Sequence, residues 1–108
     1  GGYTAMRQLL AGSPLPRAVF ATNDMMAMGA MVAIREAGLR IPDDIAVAGF
    51  DDITVARLLH PTLTTVAQFP ERLGRQAAEM LFARLDGTVT GEGLRVEMPY
   101  ELMIRESA

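Results

Sequence analysis

Cysteine and lysine are absent from this sequence, and histidine occurs once. Without thiols there is no disulfide framework and no thiolate metal site. Without an ammonium side chain, a P-loop, a Schiff-base enzyme and a phospho-receiver domain are all excluded. The ten basic residues are therefore all arginine, a bias that a GC-rich genome produces by itself. His60 has no catalytic partner near it in sequence and reads as a solvated loop residue. No G-x-S-x-G elbow is present, so nucleophilic catalysis lacks its parts. No run reaches the length of a membrane span: the methionine-rich stretch at 25–34 is too short and contains Gly29. The N-terminus shows no signal-peptide pattern. A formal charge of −3 argues against this segment gripping a phosphate backbone by itself.

Half of the 108 residues are apolar and 21% are charged, which is a globular composition and enough for one small domain or a piece of a larger one. The segment 20–52 organises the rest. Ala18-Val19-Phe20-Ala21 is an apolar run too short for a helix, and residues 45–50 form a second uncharged run rich enough in β formers to be a strand buried on both faces. Between them lies a helical stretch long enough to be the crossover of a βαβ unit. Asn23 is placed to cap that helix, Asp24 suits its positive end, and Gly38 stands where it stops. Capping is thus one reading of Asn23 and Asp24. Ligand binding is the other, because in open α/β sheets the crevice outside the carboxyl ends of the strands is where ligands bind. Asn23, Asp24, Asp51 and Asp52 all fall on that edge.

From 25 to 34 the helix carries no charge on any face. A helix apolar all round is covered on two sides, and methionine adapts to irregular contacts. The second cover is read as another subunit, with burial under the same chain as the alternative.

The remaining elements follow from periodicity and breakers. Residues 3–10 read as the tail of a helix through Met6, Leu9 and Leu10, and this start with no preceding strand reads as a piece cut from a larger domain. Residues 51–59 form a loop or helical turn, and 62–68 a β-branched strand. Pro70 opens an amphipathic helix over 71–86 with Leu73, Ala77, Met80, Leu81 and Leu85 on its apolar face. Residues 94–98 and 101–105 read as two further strands.

Three chemistries suit the strand-end acids. Asp24 and Asp51 could act as a hydrolytic carboxylate pair. Three aspartates could hold Mg²⁺, with nothing else to grip a phosphate. Polyol recognition is preferred: a carboxylate accepts from two neighbouring hydroxyls, while amides donate and accept. Asp51 with Asn23, Asp24 and Gln68 forms such a set, and neither a cofactor nor a metal is called for.

Phe20-Ala21-Thr22-Asn23-Asp24 with Met26-Ala27-Met28-Gly29 resembles the "F-A-x-N-D-x-M-A-x-G" stretch of the LacI family of bacterial transcription regulators. Residues 37–52 are similar to the family's next segment, Pro61-Thr62-Leu63-Thr64-Thr65-Val66-Ala67-Gln68 resembles its "P-x-L-T-T-V-x-Q" element, and residues 101–107 resemble its last strand. The resemblance implies an α/β, periplasmic-binding-protein-like type I fold with a mainly parallel sheet flanked by helices. It implies a small polar effector, a sugar or nucleoside-like metabolite, bound by Asp51 with Asn23 or Asp24 and Gln68. It also implies a homodimer through Met25, Met28, Met31 and Val32, a cytoplasmic location, and operator DNA bound by an N-terminal domain not contained here. Residues 1–68 and 99–108 would belong to the C-terminal subdomain and 69–98 to the N-terminal one, so helix 71–86 would lack its usual sheet and pack its apolar face elsewhere. A periplasmic sugar-binding protein of the same fold is the alternative.

Overall fold

The chain opens with α1 (Gly2–Leu10), which buries Met6 and turns its polar residues outward. β1 (Ala18–Phe20) follows, and Asn23 then starts α2 (Asp24–Glu36) as its sequence predicts. The Asn23 side chain accepts from the Met26 N–H at 2.8 Å, satisfying one of the orphan donors of the first turn. At the other end Gly38 takes φ +76°, which lets Leu39 N–H donate to Ile34 C=O and Gly38 N–H to Arg35 C=O, the pair of bonds that closes a helix in a left-handed cap. β2 (Ala46–Asp51), a 3-10 turn (Thr54–Arg57), β3 (Thr64–Ala67), α3 (Pro70–Leu85) and β4 (Glu101–Met103) complete the order.

This computed structural model describes all of residues 1–108, in two units: 1–67 with 101–108, and 68–100. In the first unit the four strands stand in the order β1-β2-β3-β4. β1, β2 and β3 are parallel, with Ala18 opposite Ala46 and Ala48 opposite Thr64, while β4 runs antiparallel with Met103 opposite Thr65. The α/β class and the mostly parallel sheet are as expected.

The core lies between the sheet and α2. Ala27, Ala30, Met31, Ala33 and Ile34 of α2 meet Val47, Ile45 and Leu63, all buried. Here α1 supplies the second cover of the uncharged helix. A Cβ on Gly29 would sit 2.6 Å from the Tyr3 backbone nitrogen, so only glycine lets the two helices approach this closely. The Tyr3 hydroxyl donates to Glu36 at 2.6 Å and ties them a second time. Burial under the same chain therefore accounts for one more face of α2, and the exposed remainder is Met25 and Val32, with Met28 half-buried.

Met31 is the correction within the expected dimer set. It is 1% exposed inside this core and unavailable to any second subunit. Burying such a side chain contributes ~2 kcal/mol to the fold itself.

A second correction concerns β2, expected to be buried on both faces. Its burial alternates, with Val47 and Gly49 inside and Ala46, Ala48 and Phe50 half-exposed. The helices of this unit cover only one face of the sheet, and on the other Phe20 and Leu102 are exposed beside them.

The second unit is built on α3. Pro70 occupies its first turn, where its missing N–H costs nothing, and the Arg72 guanidinium lies 5.1 Å from the centre of the Phe69 ring. Arg84 donates to the carbonyls of Gly91 and Glu92 and folds the following turn back. The strand expected at 94–98 does not form. A strand needs a neighbour to satisfy its row of backbone groups, and this unit offers only a helix. Instead Leu94, Val96 and Met98 line an open groove of about 300 Å³ with Leu73, Ala77 and Met80. No residue of α3 is buried, and Leu81, Leu85 and Phe82, the last absent from the expected apolar face, are exposed.

Candidate functional site

Parallel strands bring their carboxyl ends to one edge. β1 ends at Phe20 and β2 at Asp51, and Asn23 follows β1 by three residues, so the topology carries Asn23 and Asp51 to the same side of the sheet. β3 ends on that side at Ala67. Gln68, the next residue, opens the second unit and is half-buried there.

The adjacent acids do different things. Asp24 does not face the edge at all. Its side chain is fully buried, with Oδ1 accepting from the Thr65 hydroxyl at 2.5 Å and Oδ2 from the Ile53 N–H at 2.9 Å. Both oxygens are thus engaged inside the chain, which removes Asp24 from direct ligand contact. Gly49 makes the room: a Cβ there would lie 2.3 Å from Asp24 Oδ1.

Asp52 is likewise engaged. Arg105 donates to its Oδ1 at 2.5 Å and Arg57 to its Oδ2 at 2.8 Å, and its side chain is 7% exposed. Burial pushes the Asp52 carboxyl up, but hydrogen bonds from Arg105 and Arg57, with the charges of both, outweigh it and hold the group below the ordinary carboxylate value. A depressed pKa in the folded state contributes stability that is present above the unfolded value of about 3.9 and disappears as pH falls through the folded value. Urea midpoints measured from about pH 4.5 down to about pH 2.5 are therefore expected to fall less steeply for Asp52→Asn than for the wild type. Parallel slopes would show that this carboxylate makes no pH-dependent contribution.

With Asp24 and Asp52 committed inward, the two hydrolytic arrangements lose their second and third carboxylates, and no group of three acidic or imidazole side chains is placed to hold a metal ion. Asn23 and Asp51 remain at the edge. The Asn23 carbonyl caps α2, which leaves its amide N–H₂ as the group able to donate outward. Asp51 is half-buried and has φ +113°, with Asp52 following at φ +51°. Two successive residues in this region cost on the order of 1–3 kcal/mol each and persist only where surrounding contacts enforce them. Such strain at a strand end fits a residue held for use.

The residues that build this edge and escaped the sequence reading are Thr65, Gly49 and Arg105, and Ser107 escaped it at the opposite, amino end of the inner strands. Ser107 is fully buried and reaches both inner strands: its hydroxyl donates to Val47 C=O at 2.6 Å and accepts from Thr64 N–H at 2.8 Å. An arginine directly after the apolar Leu102-Met103-Ile104 run was the available signal for Arg105.

The chain from 1 to 108 matches the family model described as a periplasmic binding protein-like domain. It is 46% identical over 106 residues to the HTH-type transcriptional repressor PurR of Pasteurella multocida, covering 98% of this chain and 31% of that protein. Among solved structures, a complex of the transcriptional regulator CelR with cellobiose superposes with a TM-score of 0.93 at 43% identity, over 99% of this chain and 32% of that one. The Lac repressor dimer bound to operator and the anti-inducer ONPF gives 0.87 at 36% identity, over 98% and 36%. The chain spans about a third of the length of the curated relatives it matches. It belongs to the periplasmic binding protein-like domain family, in the form carried by the LacI family of transcriptional regulators.

Proposed function

We propose that this chain is the ligand-sensing part of a DNA-binding transcriptional regulator that responds to a small hydroxyl-rich metabolite, a sugar before a nucleoside. The observation that carries the reading is Asp51, a carboxylate held at the end of β2 on a strained backbone, on the same sheet edge as the Asn23 amide. A carboxylate bridging two adjacent hydroxyls, with an amide donating to a third oxygen, is how polyols are held. Gln68, which follows β3 directly, joins the set on its sequence position. The CelR neighbour bound to cellobiose and the operator-bound Lac repressor support the same reading.

The other partners follow from surface and charge. The outer stripe of α2, with Met25 and Val32 exposed and Met28 half-buried, is the proposed homodimer contact. Residues 69–98 are assigned to the other effector-binding subdomain. Operator DNA is gripped by a further domain of the full product, since this segment carries a net charge of −3. No helix here is long and apolar enough to cross a membrane. Because it acts on operator DNA, the regulator is assigned to the cytoplasm.

Calorimetric titration of the full gene product with cellobiose, ribose and adenosine tests the reading, alongside retardation of DNA from its own promoter. A dimer that binds one of these and changes its grip on DNA is expected. Sugar binding by a monomer without any DNA binding would instead make the protein a transport receptor of the same fold.

A further inference from the structure

We propose that Asp24 is the positioning residue of the ligand edge: its buried carboxylate sets the backbone of residues 51–53 and so aims Asp51. This rests on the polyol reading of Asp51 given above. The Asp24 carboxylate ties three elements that meet only in the tertiary structure. It sits in the first turn of α2, accepts from Thr65 in β3, and accepts from the Ile53 N–H in the loop after β2. Thr65 Oγ1 in turn accepts a long bond, 3.4 Å, from the Asp52 N–H. The two peptide N–H groups that follow Asp51 are therefore both anchored to Asp24, one directly and one through Thr65.

From the other side the Asp52 carboxylate is clamped by Arg105 and Arg57. The left-handed pair Asp51–Asp52 is thus held at consecutive points on its C-terminal side, which explains how it survives in that conformation. A binding group must be kept within about half an ångström of its productive place by packing and hydrogen bonds behind it. Asp24 provides that backing, while the Asn23 side chain beside it caps α2. Gly49 belongs to the same device, since any side chain there would displace the Asp24 carboxylate.

The test uses the full gene product and the panel of cellobiose, ribose and adenosine. Asp24→Ala, assayed where it is folded, is expected to weaken the bound probe at least about tenfold, and Asp24→Asn, which keeps an acceptor for Ile53 N–H, to restore binding to within about threefold. In an Asp51→Asn background the Asp24→Ala change is expected to cost clearly less than in the wild type, because asparagine there leaves only one uncharged acceptor to be aimed. Equal binding by Asp24→Ala, or an undiminished loss in the Asp51→Asn background, would overturn the proposal. If Asp24→Ala does not fold, Thr65→Val carries the same test.

Amide hydrogen exchange adds an arm that needs no ligand. Exchange at Asp52 and Ile53 is expected to accelerate at least about tenfold in the Asp24→Ala or Thr65→Val protein, with Val47 unchanged. Unaltered exchange at those two amides would sink the positioning role whether or not any probe binds. Altered exchange with no probe bound by the wild type would sustain the backbone device and fault only the polyol reading.

Discussion

Asp51→Asn in the full gene product is expected to weaken binding of the hydroxyl-rich ligand about 100-fold and leave folding nearly untouched. Each hydrogen bond to a charged group contributes ~1.5–3 kcal/mol, and a carboxylate spanning two hydroxyls makes two of them. Asparagine keeps one acceptor oxygen and loses the charge, so the expected loss is about 3 kcal/mol, close to two powers of ten. Asparagine is the informative replacement because, like aspartate, it tolerates the positive φ at this position. Asp51→Ala removes both oxygens and is expected to abolish the ligand response while DNA binding persists. Calorimetry gives the affinity, and a promoter-retardation assay with and without ligand gives the response. Wild-type affinity in the asparagine variant would show that the ligand is held elsewhere.

The second large effect lies behind the edge. Arg105→Met is expected to destabilise the fold by about 3 kcal/mol. The Arg105 side chain is only 12% exposed, and it donates to Asp52 at 2.5 Å and to the Leu63 carbonyl at 2.8 Å. Removing it leaves a carboxylate 7% exposed with only Arg57 beside it, and Arg57 is itself 63% exposed and screened by water. Breaking a buried pair from one side costs ~3–5 kcal/mol, and the surviving Arg57 contact places this case at the low end. Against a domain stability of ~5–15 kcal/mol, that is a loss visible in any urea titration. The double change Arg105→Met with Asp52→Leu is expected to recover much of it, since no charge is then left stranded. A single variant within about 0.5 kcal/mol of the wild type would mean that the pair does not hold the last strand in place.

Much of this architecture was legible because it is local. The Asn23 cap, the glycine stop at Gly38 and Pro70 at the head of α3 depend on residues within one helical turn of each other, and each stands where its chemistry puts it. The short apolar runs at 18–21 and 45–50 read as strands because nothing near them could continue a helix. Where a partner outside the local segment decides the outcome, reading by pattern failed. Alternation at 94–98 suggested a strand, but no ladder was available to it. The family resemblance put Met31 at a second subunit, whereas the core of the first unit buries that residue.

The sequence by itself determined the order of the elements that formed, the mainly parallel sheet, the edge on which the polar residues gather and the family to which they point. Periodicity and capping operate over a few residues and leave their mark in the string. Only the tertiary structure decided which member of each polar pair is drawn into the interior. Asn23 and Asp24 are neighbours, as are Asp51 and Asp52, and residue type does not tell one from the other. Asp24 turns inward because Gly49 leaves it space and Thr65 gives it a donor, and Asp52 because Arg105 arrives beside it from the end of the chain. Those partners lie 25 to 53 residues away in sequence, and only folding brings them within hydrogen-bonding reach.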